Sequence, residues 1–86
     1  MHTVELLKEA AALARRAGYR IRQEYLGGAL GGGCEYGGQK WIFLDISLGP
    51  SDQLEQIANA LRQDPAASGL PMPDELRRFI GVRKSA

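Results

Sequence analysis

The chain has 86 residues, 44% of them hydrophobic and 24% charged, and its eleven Lys and Arg against ten Asp and Glu leave a net charge of +1. That length suits one domain whose small core buries roughly 60 to 65 per cent of the unfolded chain's surface, and the charge balance lacks the strong positive field of a dedicated nucleic-acid binder. One cysteine, Cys34, excludes an intrachain disulfide, and with one histidine, His2, it cannot supply the Cys and His ligands of a structural zinc site.

The expected compartment is the cytoplasm, with no metal or cofactor. Met1-His2-Thr3-Val4-Glu5 is not a basic segment leading into an apolar signal core. No apolar run approaches the roughly 20 residues a membrane span needs. A soluble, unprocessed chain is expected.

Thr3 is placed to cap a helix, Glu5 falls in the first turn where it complements the helix dipole, and Gly18 stands where a glycine ends one. A helix over 4–17 follows, with apolar rows at 4, 7, 11, 14 and 6, 10, 13, 17 forming one broad buried stripe. Tyr19-Arg20-Ile21-Arg22 alternates apolar and basic, the period of a strand with Tyr19 and Ile21 inward. The segment 23–30, with Gly27 and Gly28, reads as a loop or bulged edge.

Seven of the twelve residues from Gly27 to Gly38 are glycine. Gly37-Gly38 separates two strand-like runs and can take the positive φ angles of a two-residue type I′ turn. That turn sets Tyr36 opposite Gln39, Glu35 opposite Lys40, Cys34 opposite Trp41, Gly33 opposite Ile42 and Gly32 opposite Phe43. Glu35 with Lys40 is a favourable cross-strand pair, and the glycines leave space on both faces of the sheet. The second strand, running to Ile46, is apolar on both sides: Trp41 and Phe43 on one, Ile42, Leu44 and Ile46 on the other. Such a strand belongs in the middle of a sheet or at an interface.

Gly49-Pro50-Ser51-Asp52 opens a second helix, with proline in its first turn and Leu54, Ile57, Ala58 and Leu61 as its apolar row. Asp64-Pro65 stops it. The stretch 64–73 reads as an irregular connector anchored by Leu70 and Met72, and Pro73-Asp74-Glu75 starts a short helix burying Leu76, Phe79 and Ile80 before Gly81. The basic tail 82–86 is expected to fray. The expected fold is an α+β domain: about three antiparallel strands, two helices on one face, and a C-terminal segment with a short helix closing an edge.

Several chemistries compete for the glycine-rich segment. A P-loop needs Gly-Lys-Ser/Thr followed by a helix, whereas here Lys40 is displaced and the segment runs into a strand. Cys34 can be a reactive thiol if a base or cation lies near, or a small packed residue beside Trp41. Asp45 can be a catalytic acid, or a strand-end carboxylate binding backbone or a cation. Arg15, Arg16, Arg20 and Arg22 form one basic cluster and Arg77, Arg78, Arg83 and Lys84 another. If they converge they can contact phosphates, with Tyr25 or Tyr36 stacking on bases.

Gly31-Gly32-Gly33-Cys34, Gly38, the helix Leu54 to Leu61 and the segment Pro71 to Ile80 resemble a group of small uncharacterised bacterial proteins that carry Gly-Gly-x-Cys before a hairpin. That resemblance implies no activity. The element order is also similar to the core of the zinc peptidases that cleave phage-type repressors, whose His-Glu-x-x-His lies on the helix after the last strand. Laid on Ala58-Asn59-Ala60-Leu61, the resemblance puts the metal ligands at Asn59 and Gln63 and the general base at Ala60. Neutral amides are poor zinc ligands and alanine accepts no proton, so it implies a metal-free scaffold used for binding.

The leading expectation is a non-enzymatic protein-interaction module. It self-associates as a homodimer, or meets another protein, through a sheet face or edge left open, with Tyr36, Trp41 and Phe43 as anchors. The alternatives are a thiol-dependent enzyme or redox protein centred on Cys34, and a weak nucleic-acid binder using the arginines. No membrane partner is expected.

Overall fold

The structure is a computed structural model that describes residues 1–28 and 31–81. The expected tail 82–86 and the end of the 23–30 segment lie outside the described residues. The elements run α1 (Thr3–Arg16), β1 (Tyr19–Glu24), β2 (Gly32–Tyr36), β3 (Gln39–Asp45), α2 (Pro50–Arg62), α3 (Pro65–Ser68) and α4 (Asp74–Ile80). The class is α+β, with a three-stranded sheet in the order β1-β3-β2 and helices packed on it.

The hairpin has the register expected from its Gly-Gly turn: Tyr36 pairs with Gln39, Cys34 with Trp41 and Gly32 with Phe43. Gly37 and Gly38 take φ angles of 58° and 79°, conformations that β-carbons disfavour. β3 lies in the centre, as its two apolar faces require. The sheet, however, is mixed. β1 runs parallel to β3, with Arg20 beside Trp41 and Arg22 beside Phe43, where antiparallel strands throughout are expected from the sequence. The physical reason is the connection. β1 ends and β2 begins at the C-terminal end of β3, on opposite sides of it, so the two outer strands run in opposite directions and only one of them can be antiparallel to β3.

The core lies between sheet and helices. Leu6, Ala10, Leu13 and Ala14 of α1 and Leu54, Ile57, Ala58 and Leu61 of α2 bury against Ile42 and Leu44 of β3. α1 begins one residue earlier than expected: His2, not Thr3, is the N-cap, and its N–H donates to the Glu5 carboxylate at 3.3 Å. Gly49 caps α2, with Pro50 in the first turn.

Two expectations for the C-terminal part need correction. The 64–73 connector is not wholly irregular, because the Asp64 carboxylate accepts from the Ala66 N–H at 3.0 Å and caps the short helix α3. The segment also does not close a sheet edge: α3 and α4 pack on α1 and α2, with Leu76 and Ile80 fully buried and Leu70 and Met72 packed beside them. Gly81 ends α4 in the left-handed region, φ 74°. No described helix is long and apolar enough to cross a membrane.

Candidate functional site

Alternation along β3 sends Ile42 and Leu44 into the core and Trp41 and Phe43 to the other side, which no described element covers. The Trp41 and Phe43 rings stack with centroids 6.1 Å apart and planes inclined by 15°. Both remain half-buried. The Arg20 guanidinium lies 5.8 Å over the Trp41 ring, near enough for a cation–π contact. Arg22, next on that face, forms a 3.2 Å ion pair with Glu24. Pairing across the hairpin brings Cys34 and Tyr36 to the same side, and both are exposed. Gly32, opposite Phe43, adds no side chain, and the space where its β-carbon would stand is open.

The open face therefore unites Tyr36, Trp41, Phe43, Arg20, Arg22 and Cys34. It does not include Arg77 and Arg78 of the second basic cluster. Arg77 is held in the helical layer, its guanidinium donating to the Ser68 and Leu70 carbonyls, and Arg78 is on the same short helix. Arg15 and Arg16 stand in the last turn of α1, where they complement the helix dipole. Arg83 and Lys84 lie outside the described residues. Cys34 makes no hydrogen bond through its thiol among the described residues, and His2 is at the head of α1.

Asp45 is fully buried at the end of β3. Burial alone would raise its pKa, but hydrogen bonds to the carboxylate prevail and hold it down to about 2. Ser47 donates through its hydroxyl at 2.6 Å and its N–H at 2.9 Å, Leu26 through its N–H at 3.0 Å, and Gly28 through its N–H. Leu26 and Gly28 belong to the crossing from β1 to β2. The carboxylate is thus the fastening of that crossing, with no free lone pair turned to solvent. A strand-end carboxylate bound to backbone, one of the two roles open to it from sequence, is what the geometry provides.

A second region lies on the opposite side of β2, between that strand and α2. It is an open cleft of about 530 Å³. One wall is the strand from Gly31 to Glu35, and the other is Gln56, Asn59, Ala60 and Gln63 of α2. The positions that the peptidase resemblance assigns to metal ligands and base, Asn59, Gln63 and Ala60, all line it. At one end the Asp64 carboxylate accepts from Lys40 Nζ at 2.7 Å and from the Tyr19 hydroxyl at 2.8 Å. Lys40 and Tyr19 lower the Asp64 pKa, while burial and the neighbouring Asp64 raise that of Tyr19 to about 12. Among the described residues no three His, Cys, Asp or Glu side chains come together as a metal-binding group.

The cleft is the feature that sequence reasoning missed. Its signal was present: Gly31 and Gly33 alternate on one face of β2, and a β-carbon on either would strike α2, at Gln56 and Ala60 respectively. Glycine at every second strand position marks a close approach of another element. Comparison with protein-family models, with curated proteins and with solved structures finds no match to this chain.

Proposed function

We propose that this chain is a non-enzymatic interaction module that self-associates through the open face of its sheet. The observation that carries the reading is the stacked Trp41–Phe43 pair on the central strand, with the helices all on the other side. Aromatic side chains concentrate binding energy where they are desolvated in the middle of an interface, and a ring of polar groups normally surrounds them. Here Arg20, Arg22 and Glu24 of β1 provide such a border.

A second copy is the occupant that the charges favour. Arg20, Arg22 and Glu24 occupy alternate positions of one strand, so on the open face the row reads positive, positive, negative. Two copies of that row meeting antiparallel about Arg22 set each Arg20 against the carboxylate of the other copy and each aromatic pair near its equivalent, while the two Arg22 guanidiniums, each paired with its own Glu24 at 3.2 Å, face each other at the centre. A twofold interface needs that kind of self-complementarity. Catalysis is less well supported: Asp45 and Asp64 are engaged in structural hydrogen bonds, and among the described residues the exposed Cys34 has no hydrogen-bonded base beside it.

Light scattering across a wide concentration range tests the reading. Wild type is expected to pass from monomer to dimer, and Trp41→Ala and Arg20→Glu to shift that transition to higher concentration while keeping the wild-type circular dichroism. A monomer at all concentrations overturns it. Retention of labelled single-stranded oligonucleotide by wild type, lost in Arg20→Glu, would instead assign the face to nucleic acid.

A further inference from the structure

We infer that the cleft between β2 and α2 is a docking groove for an extended polypeptide segment carrying a basic side chain, which adds as a strand to the free edge of β2. This goes beyond the self-association reading and uses the opposite side of the strand.

The argument begins with the backbone. β2 has β3 on one side only, so its other edge is unpaired among the described residues. In a hairpin closed by two residues, Tyr36 and Gln39 form the first hydrogen-bonded pair, and such pairs alternate with non-bonded ones. Cys34 with Trp41 and Gly32 with Phe43 are then the next bonded pairs. Gly33 and Glu35 consequently turn their N–H and C=O groups away from β3, toward the free edge. A strand laid there finds two donors and two acceptors at the spacing of a β-ladder, the geometry of recognition by strand addition.

The groove beside that edge is built for more than bare backbone. Gly33 has no side chain, and Ala60 below it has a small one, so the floor is low at that point. Asn59 of α2 and its C-cap Gln63 place side-chain amides along the far wall; the Asn59 oxygen accepts from Arg62 at 2.6 Å, and its NH2 group remains a donor. Edge strands are normally blunted by charges, bulges or proline, and β2 carries one such charge, Glu35, beside the glycines at Gly31, Gly32 and Gly33.

Charge selects the occupant. Glu35 and Asp64 contribute two carboxylates to the groove and Lys40 one ammonium, which leaves one negative charge. Lys40 is already held by Asp64 at 2.7 Å, so among the described residues Glu35 is the carboxylate of the groove without an ion-pair partner. A Lys or Arg on the incoming segment, at the position facing Glu35, completes the pairing.

The probe is a fluorescein-labelled, terminally blocked seven-residue peptide alternating threonine and arginine, followed by fluorescence anisotropy with the full chain. Two N-methylated forms of it carry methyl groups on opposite sets of alternate residues. Edge pairing predicts that one set abolishes binding and the other leaves it within about threefold, because only one set of N–H groups faces β2. Glu35→Lys should weaken the basic peptide at least tenfold and strengthen one with glutamate in place of arginine. Trp41→Ala, altered on the other side of the sheet, tells the cleft from the open face. No binding at millimolar peptide, or equal effects of the two methylation patterns, overturns the inference. So does loss of binding in Trp41→Ala, which places the peptide on the open face. Self-association that is broken by Glu35→Lys and not by Trp41→Ala makes a second copy's strand the occupant, and overturns the assignment as well.

Discussion

Gly33 and Ala60 meet across the interface of sheet and helix so closely that a β-carbon on Gly33 would stand 2.9 Å from that of Ala60. Neither the short alanine side chain nor the last turn of α2, whose Leu61 is buried in the core, can yield cheaply. Gly33→Ala is therefore expected to destabilise by about 1–3 kcal/mol, as overpacking does. Ala60→Gly alone should cost about 1 kcal/mol for glycine in a helix interior. The double variant should be more stable than the sum of the two losses, since the second change removes the clash that the first creates. Urea unfolding of the four proteins measures this, and strict additivity would show that the strand shifts freely away from α2.

Asp45 governs the acid limb of stability. Its folded pKa, about 2, lies below the ordinary carboxylate value of an unfolded chain, so the folded state binds fewer protons in that interval. The stabilisation is complete above about pH 4 and disappears as pH falls toward 2. Asp64, also depressed, acts in the same direction. Asp45→Asn should flatten the limb and lower Tm by about 10 °C at neutral pH, because an amide cannot accept from Leu26, Gly28 and Ser47 together. The measurement is the urea midpoint from pH 7 to 2. An unchanged midpoint down to pH 2 in wild type contradicts the assignment.

On the alkaline side the sign reverses. Tyr19 ionises only near pH 12 in the folded chain, because burial and the Asp64 carboxylate oppose a second negative charge. An unfolded tyrosine ionises near pH 10. The contribution of Tyr19 is thus fully present below about pH 10 and is lost between about 10 and 12. Absorbance titration at 295 nm should show one tyrosine ionising near 12, absent in Tyr19→Phe. Asp64→Asn should bring that step to lower pH, and should cost about 1–2 kcal/mol at pH 7 by leaving Lys40 and Tyr19 with a weaker acceptor.

Local signals made much of this fold legible. The apolar stripe of α1, the Pro50 start of α2 and the Gly37-Gly38 turn each state their structure within a few residues, and the register from Tyr36–Gln39 to Gly32–Phe43 follows from the turn alone. Strand direction did not follow in the same way. Tyr19–Glu24 alternates equally well in either orientation, and its parallel pairing depends on a crossing fastened by Asp45, 17 and 19 residues from its partners. The aromatic side of β3 was likewise readable from alternation, because Trp41 and Phe43 share one parity. The cleft left only a partial signal, since alternating Gly31 and Gly33 announce a close neighbour without naming it, and that the neighbour is Gln56 and Ala60 is decided by tertiary packing. The capping role of Asp64 was hidden for a similar reason: Asp-Pro reads as the end of one helix, and here it also begins the next.

Cys34 offers an internal reporter for the open face. It pairs with Trp41 across the hairpin and is exposed, so a maleimide reaches it readily in a monomer. Association through the aromatic pair would cover that thiol, and the labelling rate should fall as protein concentration rises through the dimerisation range. In Trp41→Ala the rate should stay constant over the same range. Glu35→Gln, which alters the cleft side of β2, should leave the concentration dependence in place. A wild-type rate that does not change with concentration while light scattering reports a dimer would locate the interface elsewhere than on the Trp41–Phe43 face. A rate that falls in parallel with dimer formation would bring the thiol, the aromatic pair and the interface onto one surface, and cysteine-directed crosslinking at Cys34 would then capture the dimer covalently.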